Sequence, residues 1–148
     1  FLNNMAMMFD LEGDGPNVIG PGKRPASPLS PTHTYKGDSF FLSIGTPGGW
    51  GIPQTTAQFL VNVLDFGMDV QQAIEAPLFR HYVGRDVLME ERFPLQVRVG
   101  LEDIGHKIAV WDGWSMRVGG AHPIQFNDGQ GVMYGGADPR RDGFAVGY

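Results

Sequence analysis

Apolar residues along the chain follow two spacings, and these predict an alternation of strands and helices. The run Ser39–Gly45 is apolar, aromatic and β-branched between turn residues on both sides, which predicts a buried strand. After Pro53, apolar residues recur at helical spacing as far as Gly67, which predicts a helix. Shorter apolar runs predict four further strands, at residues 87–89, Lys107–Trp111, 123–126 and 132–134.

Local start and stop signals predict two more helices. Asp69, with Gln72 three residues later, resembles a helix N-cap with its box partner, and Pro77 ends the helix that they open. Residues 94–105 begin with proline and end with glycine around apolar positions at helical spacing. Residues 13–31 are so rich in glycine and proline that they exclude helix and predict a long ordered loop of the functional kind.

The composition bounds the classes of protein that fit this pattern. A chain of 148 residues is long enough for one domain, 1–148. The net charge of -5 argues against nucleic acid as a partner, because phosphate neutralisation needs a surplus of Lys and Arg. Charged residues make up 18%, against about 25% in an average soluble domain, which indicates a surface that a partner covers. No apolar run reaches the length of a membrane span.

Cysteine and histidine usage narrows the chemistry further. The absence of cysteine excludes disulfides and thiol nucleophiles but leaves the compartment open between periplasm and cytoplasm. The four histidines are scattered without ligand spacing, so the sequence predicts neither a metal nor a cofactor. Glu90 and Glu91 are adjacent on a predicted strand and point to opposite faces, so they do not form an acid/base pair. Residues 138–143 are interpreted as a structural turn whose opposite charges pair on the surface.

The turn Thr46-Pro47-Gly48-Gly49 is the strongest candidate for chemistry. It follows the predicted buried strand and precedes the predicted helix. Bare glycine backbones in such a place can direct N–H groups toward an anion or a developing oxyanion. The alternative is a tight turn that binds nothing, since glycine pairs are common turn formers. No Gly-Lys-Ser/Thr follows, and the pattern is not GxGxxG, so a nucleotide loop is excluded.

An ordered set of short segments resembles the small subunit of γ-glutamyltranspeptidase. In chain order they are Leu2-Asn3-Asn4, Gly22-Lys23-Arg24-Pro25, Ser30-Pro31-Thr32, Gly45-Thr46-Pro47-Gly48-Gly49, Asn62, Asp65-Phe66-Gly67, Ala73 with Ala76-Pro77, Gly135-Gly136-Ala137-Asp138-Pro139-Arg140, Asp142-Gly143, Ala145 and Gly147-Tyr148. The resemblance implies an N-terminal nucleophile hydrolase of the α+β class, an αββα four-layer sandwich. It identifies 1–148 as the C-terminal part of the small subunit.

The resemblance also implies a partner and a missing group. The family's precursor cuts itself, so the expected partner is the large subunit of the same precursor and the expected substrate a small-molecule amide. The nucleophilic threonine of the family lies upstream of the Leu-Asn-Asn segment. All threonines of this chain are internal, and none is positioned as a nucleophile whose own α-amine is the base. Two interpretations remain: an acyl-enzyme amidohydrolase or acylase, and a non-catalytic remnant that serves as a binding or assembly partner.

Two substrate-binding segments match the family only in part. Gly48 and Gly49 match the pair whose N–H groups hold the oxyanion. Ser27 matches the first of two serines that bind the donor's α-carboxylate, but Pro28 replaces the second and offers no donor. Met5 and Met8 occupy the positions of a glutamine and an aspartate that hold the donor's α-amino group.

These replacements predict an altered acyl donor. An ammonium that leaves water needs a carboxylate or strong acceptors, which thioethers do not supply. An acyl group without an α-ammonium is therefore expected to bind better than γ-glutamyl. Its carboxylate partner is expected among Lys23, Arg24 and Arg80. Trp50 follows the glycine pair and either narrows the acyl pocket or packs under the following helix.

Overall fold

The chain mixes helices with two β-sheets. A computed structural model describes residues 3–147; Leu2 and Tyr148, which belong to the resembling segments, lie outside the described residues. The strands are β1 (Thr32–Lys36), β2 (Ser39–Gly45), β3 (Phe79–His81), β4 (Asp86–Glu90), β5 (Lys107–Trp111), β6 (His122–Asn127) and β7 (Val132–Gly135). The helices are α1 (Ile52–Leu64), α2 (Val70–Glu75) and α3 (Leu95–Asp103), with 3-10 turns at Met5–Met8 and Gly49–Gly51.

The strands form a four-stranded and a three-stranded sheet. The first has the order β1-β2-β6-β7, and all of its pairs are antiparallel. The second has the order β3-β4-β5, in which β4 and β5 run parallel. A parallel pair requires a crossover connection, and α3 provides it. In the four-stranded sheet, the late strand β6 lies beside β2 and carries β7 on its other side.

The larger core lies between α1, α2 and the four-stranded sheet. Burial alternates along the second half of β2, so that Leu42 and Ile44 point inward, as expected for a strand with one covered face. Phe59 of α1 and Ile74 of α2 are each 1% exposed and pack into the same cluster. This packing fixes the end of β2 and the start of α1, and it therefore fixes the segment that joins them.

The predicted elements agree closely with the structure. Strand β2 has the predicted bounds, the three helices are confirmed, and the four further predicted strands are confirmed with slightly wider bounds in three of them. The mixture of helices and sheets confirms the α+β class. Residues 13–31 contain no helix or strand, as expected. Strands β1 and β3 were not predicted from the sequence.

Two of the charges at residues 138–143, those of Asp138 and Arg140, are buried, so their predicted place on the surface is wrong, whereas Asp142 is exposed as predicted. Asp138 and Arg140 are 0% and 4% exposed. The guanidinium of Arg140 makes a bidentate pair with Glu90, with its Nε 2.6 Å from Oε1 and its Nη2 2.7 Å from Oε2. Its Nη1 lies 3.1 Å from Oδ1 of Asp138 and donates to the carbonyl of Ile74. These two residues therefore belong to a buried network that joins the C-terminal segment to β4 and to the end of α2.

The network keeps Arg140 charged. Burial acts to lower the pKa of Arg140, but the hydrogen bond to Glu90 and the charges of Asp138 and Glu90 outweigh it and raise the pKa. Glu90 also accepts hydrogen bonds from the backbone N–H groups of Leu78 and Ser115, at 3.0 and 3.1 Å. Each buried charge thus has an opposite charge and further polar partners, which buried ions require.

Candidate functional site

The turn after β2 has a backbone that only glycine adopts readily. Gly48 has φ 136° and Gly49 has φ 57°, values that residues with a Cβ rarely adopt. Gly51 then donates its N–H to the carbonyl oxygen of Gly48 at 3.0 Å, which closes the 3-10 turn that leads into α1. The strand, turn and helix predicted from the sequence are therefore present in that order.

The glycine pair faces open space. A Cβ atom built on Gly48 or Gly49 would meet nothing within 4 Å. Within residues 3–147, neither backbone N–H has a hydrogen-bond acceptor. Two adjacent donors without acceptors, on a half-buried turn, can bind an anion or an oxyanion. The open space in front of them leaves room for a reacting carbonyl group.

A second glycine pair, Gly119-Gly120, packs against Pro47 of the turn. Gly120 approaches Pro47 so closely that a Cβ on Gly120 would lie 2.7 Å from Pro47 Cγ. The N–H of Gly120 donates to Oδ2 of Asp138 at 2.9 Å. The buried Asp138 and Arg140 network is therefore in contact, through Gly120, with the residue that precedes Gly48. No sequence pattern indicates this contact, because it joins segments that are about 70 residues apart in the chain.

Arg80 lies against the turn. Its Nη1 donates to the carbonyl oxygen of Gly48 at 3.3 Å and to that of Arg117 at 3.4 Å. A Cβ on Gly51 would lie 3.3 Å from the same Nη1, so the glycine leaves space for the guanidinium. The sequence suggested Arg80 only as a partner for a substrate carboxylate. Its hydrogen bond to the glycine turn was not foreseen.

The two partly matching segments are joined by Asn17. Its side chain donates to the carbonyl of Met8 at 2.8 Å and accepts from the N–H of Ala26 at 2.8 Å. Met5 and Met8 are half-buried on their 3-10 turn, whereas Ser27 is exposed and Pro28 is buried. The structure therefore connects the segment of the methionines with the segment of Ser27. No hydrogen bond within residues 3–147 joins either segment to the glycine turn.

The remaining candidates, Lys23, Arg24 and Trp50, differ in their hydrogen bonds and exposure. Lys23 closes its own loop by donating to the carbonyl of Val18 at 2.9 Å, and so part of its donor capacity is used. Arg24 is exposed and makes no hydrogen bond to the described part of the chain. Trp50 is 54% exposed, so it is not packed under α1.

A cavity of about 770 Å³ opens elsewhere, between the C-terminal end of α1, the start of α2 and the four-stranded sheet. Phe41, Met68 and Tyr134 are among its lining residues, and no residue of the glycine turn is. It is therefore not part of the candidate site. Residues 3–147 contain no group of three metal-ligating side chains and no helix long and apolar enough to cross a membrane.

Comparison with known proteins identifies the family. The profile described as gamma-glutamyltranspeptidase matches residues 1–148. The glutathione hydrolase-like YwrD proenzyme of Bacillus subtilis is 37% identical over 99% of this chain and 29% of its own length. The glutathione hydrolase proenzyme of Escherichia coli is 34% identical over 95% of this chain and 24% of its own length. The chain thus spans about a quarter of the length of these relatives.

Other relatives and the solved structures agree. The oxamate amidohydrolase proenzyme of Klebsiella pneumoniae is 30% identical over 98% of this chain and 28% of its own length, and the acylase ACY 1 proenzyme of Pseudomonas is 35% identical over 97% and 25%. The gamma-glutamyltranspeptidase of Pseudomonas nitroreducens, complexed with L-DON, superposes with a TM-score of 0.83 at 26% identity. That match covers 99% of this chain and 81% of that chain. This chain belongs to the γ-glutamyltranspeptidase family of N-terminal nucleophile hydrolases.

Proposed function

We propose that this chain supplies the oxyanion-binding turn of an amidohydrolase or acylase that works through an acyl-enzyme on an upstream N-terminal threonine. The observation that carries the proposal is the Gly48 and Gly49 turn, whose two N–H groups have no acceptor within residues 3–147 and face open space. Such donors act where negative charge develops on a carbonyl oxygen. Membership of the family supports the same chemistry.

The proposed reaction has two halves. The threonine hydroxyl adds to the amide carbonyl, its proton passes to the α-amine, and the carbonyl oxygen becomes an oxyanion held by the N–H groups of Gly48 and Gly49. Collapse breaks the C–N bond as the α-ammonium returns the proton to the leaving nitrogen, which releases the amine and leaves an ester on the threonine. Water then adds to the ester, and a second oxyanion at the same turn collapses to the acid and free threonine. Both halves depend on the same two donors.

The proposed assembly follows from the length of the relatives. The relatives are proenzymes of which this chain spans about a quarter, so we expect the large subunit of the same precursor as a partner. The αββα four-layer sandwich is proposed for the assembled protein, with the two sheets of this chain as part of it. The chain is proposed to be the C-terminal part of the small subunit.

We further propose that the donor lacks an α-ammonium group. Met5 and Met8 stand on one short turn and offer thioethers where an ammonium would need acceptors. Pro28 is buried and has no N–H, and so of the two serine positions only Ser27 keeps a donor for a carboxylate. Relatives named oxamate amidohydrolase and acylase, beside those named glutathione hydrolase, support a range of donors in the family.

The test compares donors on the complete reading frame that contains this chain. Anilides of γ-glutamate, glutarate and butyrate differ in the presence of the α-ammonium and of the carboxylate. We expect kcat/KM to be higher for glutaryl than for γ-glutamyl anilide. The double variant Met5→Gln, Met8→Asp should reverse this order, because it restores acceptors for the ammonium. Met7→Gln, on the same turn but 71% exposed, is the matched control and should leave the order unchanged.

Two results would count against the proposal in different ways. A clear preference of the wild type for the γ-glutamyl donor would overturn the altered specificity but not the amidase activity. An absence of hydrolysis and of a trapped acyl-threonine, in a protein that has assembled correctly, would favour the non-catalytic remnant instead.

A further inference from the structure

A cationic side chain, that of Arg80, is hydrogen-bonded to the backbone of the glycine turn. Arg80 Nη1 donates to the Gly48 carbonyl oxygen at 3.3 Å, and the Gly51 N–H donates to the same oxygen at 3.0 Å. A carbonyl oxygen has two lone pairs, so both are engaged. The C=O of Gly48 and the N–H of Gly49 belong to one planar peptide group and point in opposite directions. Anchoring the oxygen therefore aims the N–H away from Arg80.

Helix α1 fixes the backbone on both sides of Arg80. The side-chain amide of Gln58 bonds the N–H and C=O of Phe79, at 3.0 and 2.9 Å. The side-chain amide of Gln54, one turn earlier, bonds the N–H and C=O of His81, at 2.8 and 3.0 Å. Residues four apart on a helix share a face, so the two amides lie side by side and hydrogen-bond to the backbone of β3 as a neighbouring strand would. Because α1 begins directly after the turn, the same helix holds both the glycine turn and the strand that carries Arg80.

The charge of Arg80 is not neutralised nearby. Within residues 3–147, no carboxylate forms an ion pair with its guanidinium. Its Nε is buried without a hydrogen-bond partner in the same part of the chain. Its guanidinium carbon lies over the ring of Tyr82, 4.6 Å from the centroid, a contact that favours a cation. A positive charge that is partly removed from water acts on its neighbours more strongly than one in bulk solvent.

We propose that Arg80 is a positioning residue for the Gly48 and Gly49 turn. It holds the Gly48 carbonyl in place and polarises the peptide group, so that the N–H of Gly49 becomes a stronger donor to the oxyanion. Hydrogen bonds in a chain strengthen one another, and a charged partner strengthens them further. This inference rests on the proposed function of the turn. It differs from a role in binding substrate, because Arg80 acts through the backbone.

The test replaces Arg80 in the complete protein and measures two donors, glutaryl and butyryl anilide. Loss of a direct oxyanion donor costs about 100- to 1,000-fold in kcat; Arg80 acts one bond away, and we expect Arg80→Gln to lower kcat about tenfold. The fall should be equal for both donors, with KM changed by less than about twofold. Arg80→Lys keeps the charge and should recover part of the loss.

Two further variants distinguish the proposed role of Arg80 from a general loss of structure. Arg85→Gln is the matched control, because Arg85 also donates through Nη1 to two backbone carbonyls, those of Ile104 and Gly105, away from the turn. It should leave kcat unchanged. Gly51→Ala places a methyl group 3.3 Å from Arg80 Nη1 and should lower kcat by a smaller factor, even if Arg80→Gln fails to fold.

The readouts separate this inference from the proposed function. In protein labelled with ¹⁵N-glycine, Arg80→Gln should move the Gly49 amide proton upfield, as expected for a weaker polarisation, whereas Arg85→Gln should not. This signal needs no catalysis. An unchanged Gly49 resonance and kcat would overturn the role of Arg80, as would a loss confined to glutaryl anilide with a raised KM, which would mean that Arg80 binds the substrate carboxylate. An inactive wild type would instead overturn the proposed function.

Discussion

At the scale of single residues, Arg140 has a large expected effect on stability. Its guanidinium is the only charged partner of Asp138 among the described residues, and it pairs with Glu90 on both carboxylate oxygens. Removing one member of a buried ion pair typically costs about 3 to 5 kcal/mol, since the partner charge stays buried. Asp138 and Glu90 keep several backbone donors. We therefore expect Arg140→Met to cost about 3 kcal/mol, measured by urea unfolding.

The neighbouring Arg141 provides the control for Arg140. It donates to the carbonyls of Gly119 and Met116, and no carboxylate among residues 3–147 pairs with it. Arg141→Met leaves no buried charge behind and should cost about 1 kcal/mol or less. Equal losses for the two variants would show that the buried charges of Asp138 and Glu90 do not determine the cost.

Residues with a local signal were predicted, and residues whose role depends on distant segments were not. The glycine pair could be recognised because a strand, two glycines and a helix are consecutive in the sequence. The hydrogen bond of Arg80 to Gly48 crosses 32 positions, and so no single-sequence pattern indicates it. The charges at residues 138–143 were expected on the surface, since nothing near them in the sequence shows that Glu90 lies beside them.

At the scale of elements, the capping box of α2 is the clearest local stabilising feature. Asp69 accepts from the N–H of Gln72 at 2.8 Å, and the Gln72 side chain accepts from the N–H of Asp69 at 3.2 Å. With six residues, α2 is too short to be stable without packing and capping. Loss of an N-cap side chain costs about 1 kcal/mol. We expect this loss from Asp69→Ala, measured by thermal unfolding.

Asp65 is the matched control for Asp69, because it stands at the other end of a helix. It caps the C-terminus of α1, where a negative charge meets the negative end of the helix dipole. Asp65→Ala should therefore leave the unfolding temperature unchanged or raise it slightly. A similar loss for both aspartates would contradict the role given to the capping box.

The accuracy of the predicted elements follows the strength of their boundary signals. Helices α1, α2 and α3 are bounded by proline, glycine or a capping box, and all three were found. Strand β1 was missed because its sequence, Thr-His-Thr-Tyr-Lys, carries no apolar run. It is a strand because all five of its residues pair with β2. Strand β3 has only three residues. The pairing of β2 with β6, about 80 residues away in the chain, has no sequence signal at all.

At the scale of the whole molecule, many large apolar side chains lie on the surface. Large apolar side chains remain exposed at both sheets and near the end of the described chain, including Val83 at 70%, Met133 at 71% and Phe144 at 87%. Charged residues make up only 18% of the chain. The low charge predicted a covered surface from composition alone. Which faces are left uncovered became clear only from the fold.

This surface predicts different behaviour of the chain alone and of the assembled protein. Exposed apolar side chains that lie together on a surface favour association, so the chain expressed alone should bind the dye anilinonaphthalene sulfonate and form concentration-dependent oligomers in analytical ultracentrifugation. The complete precursor should show neither, because its remaining part is proposed to cover these faces. The variant Met133→Lys, on the edge strand β7, should reduce dye binding by the chain alone. A monomeric chain that binds no dye would contradict the proposed covering by a partner subunit.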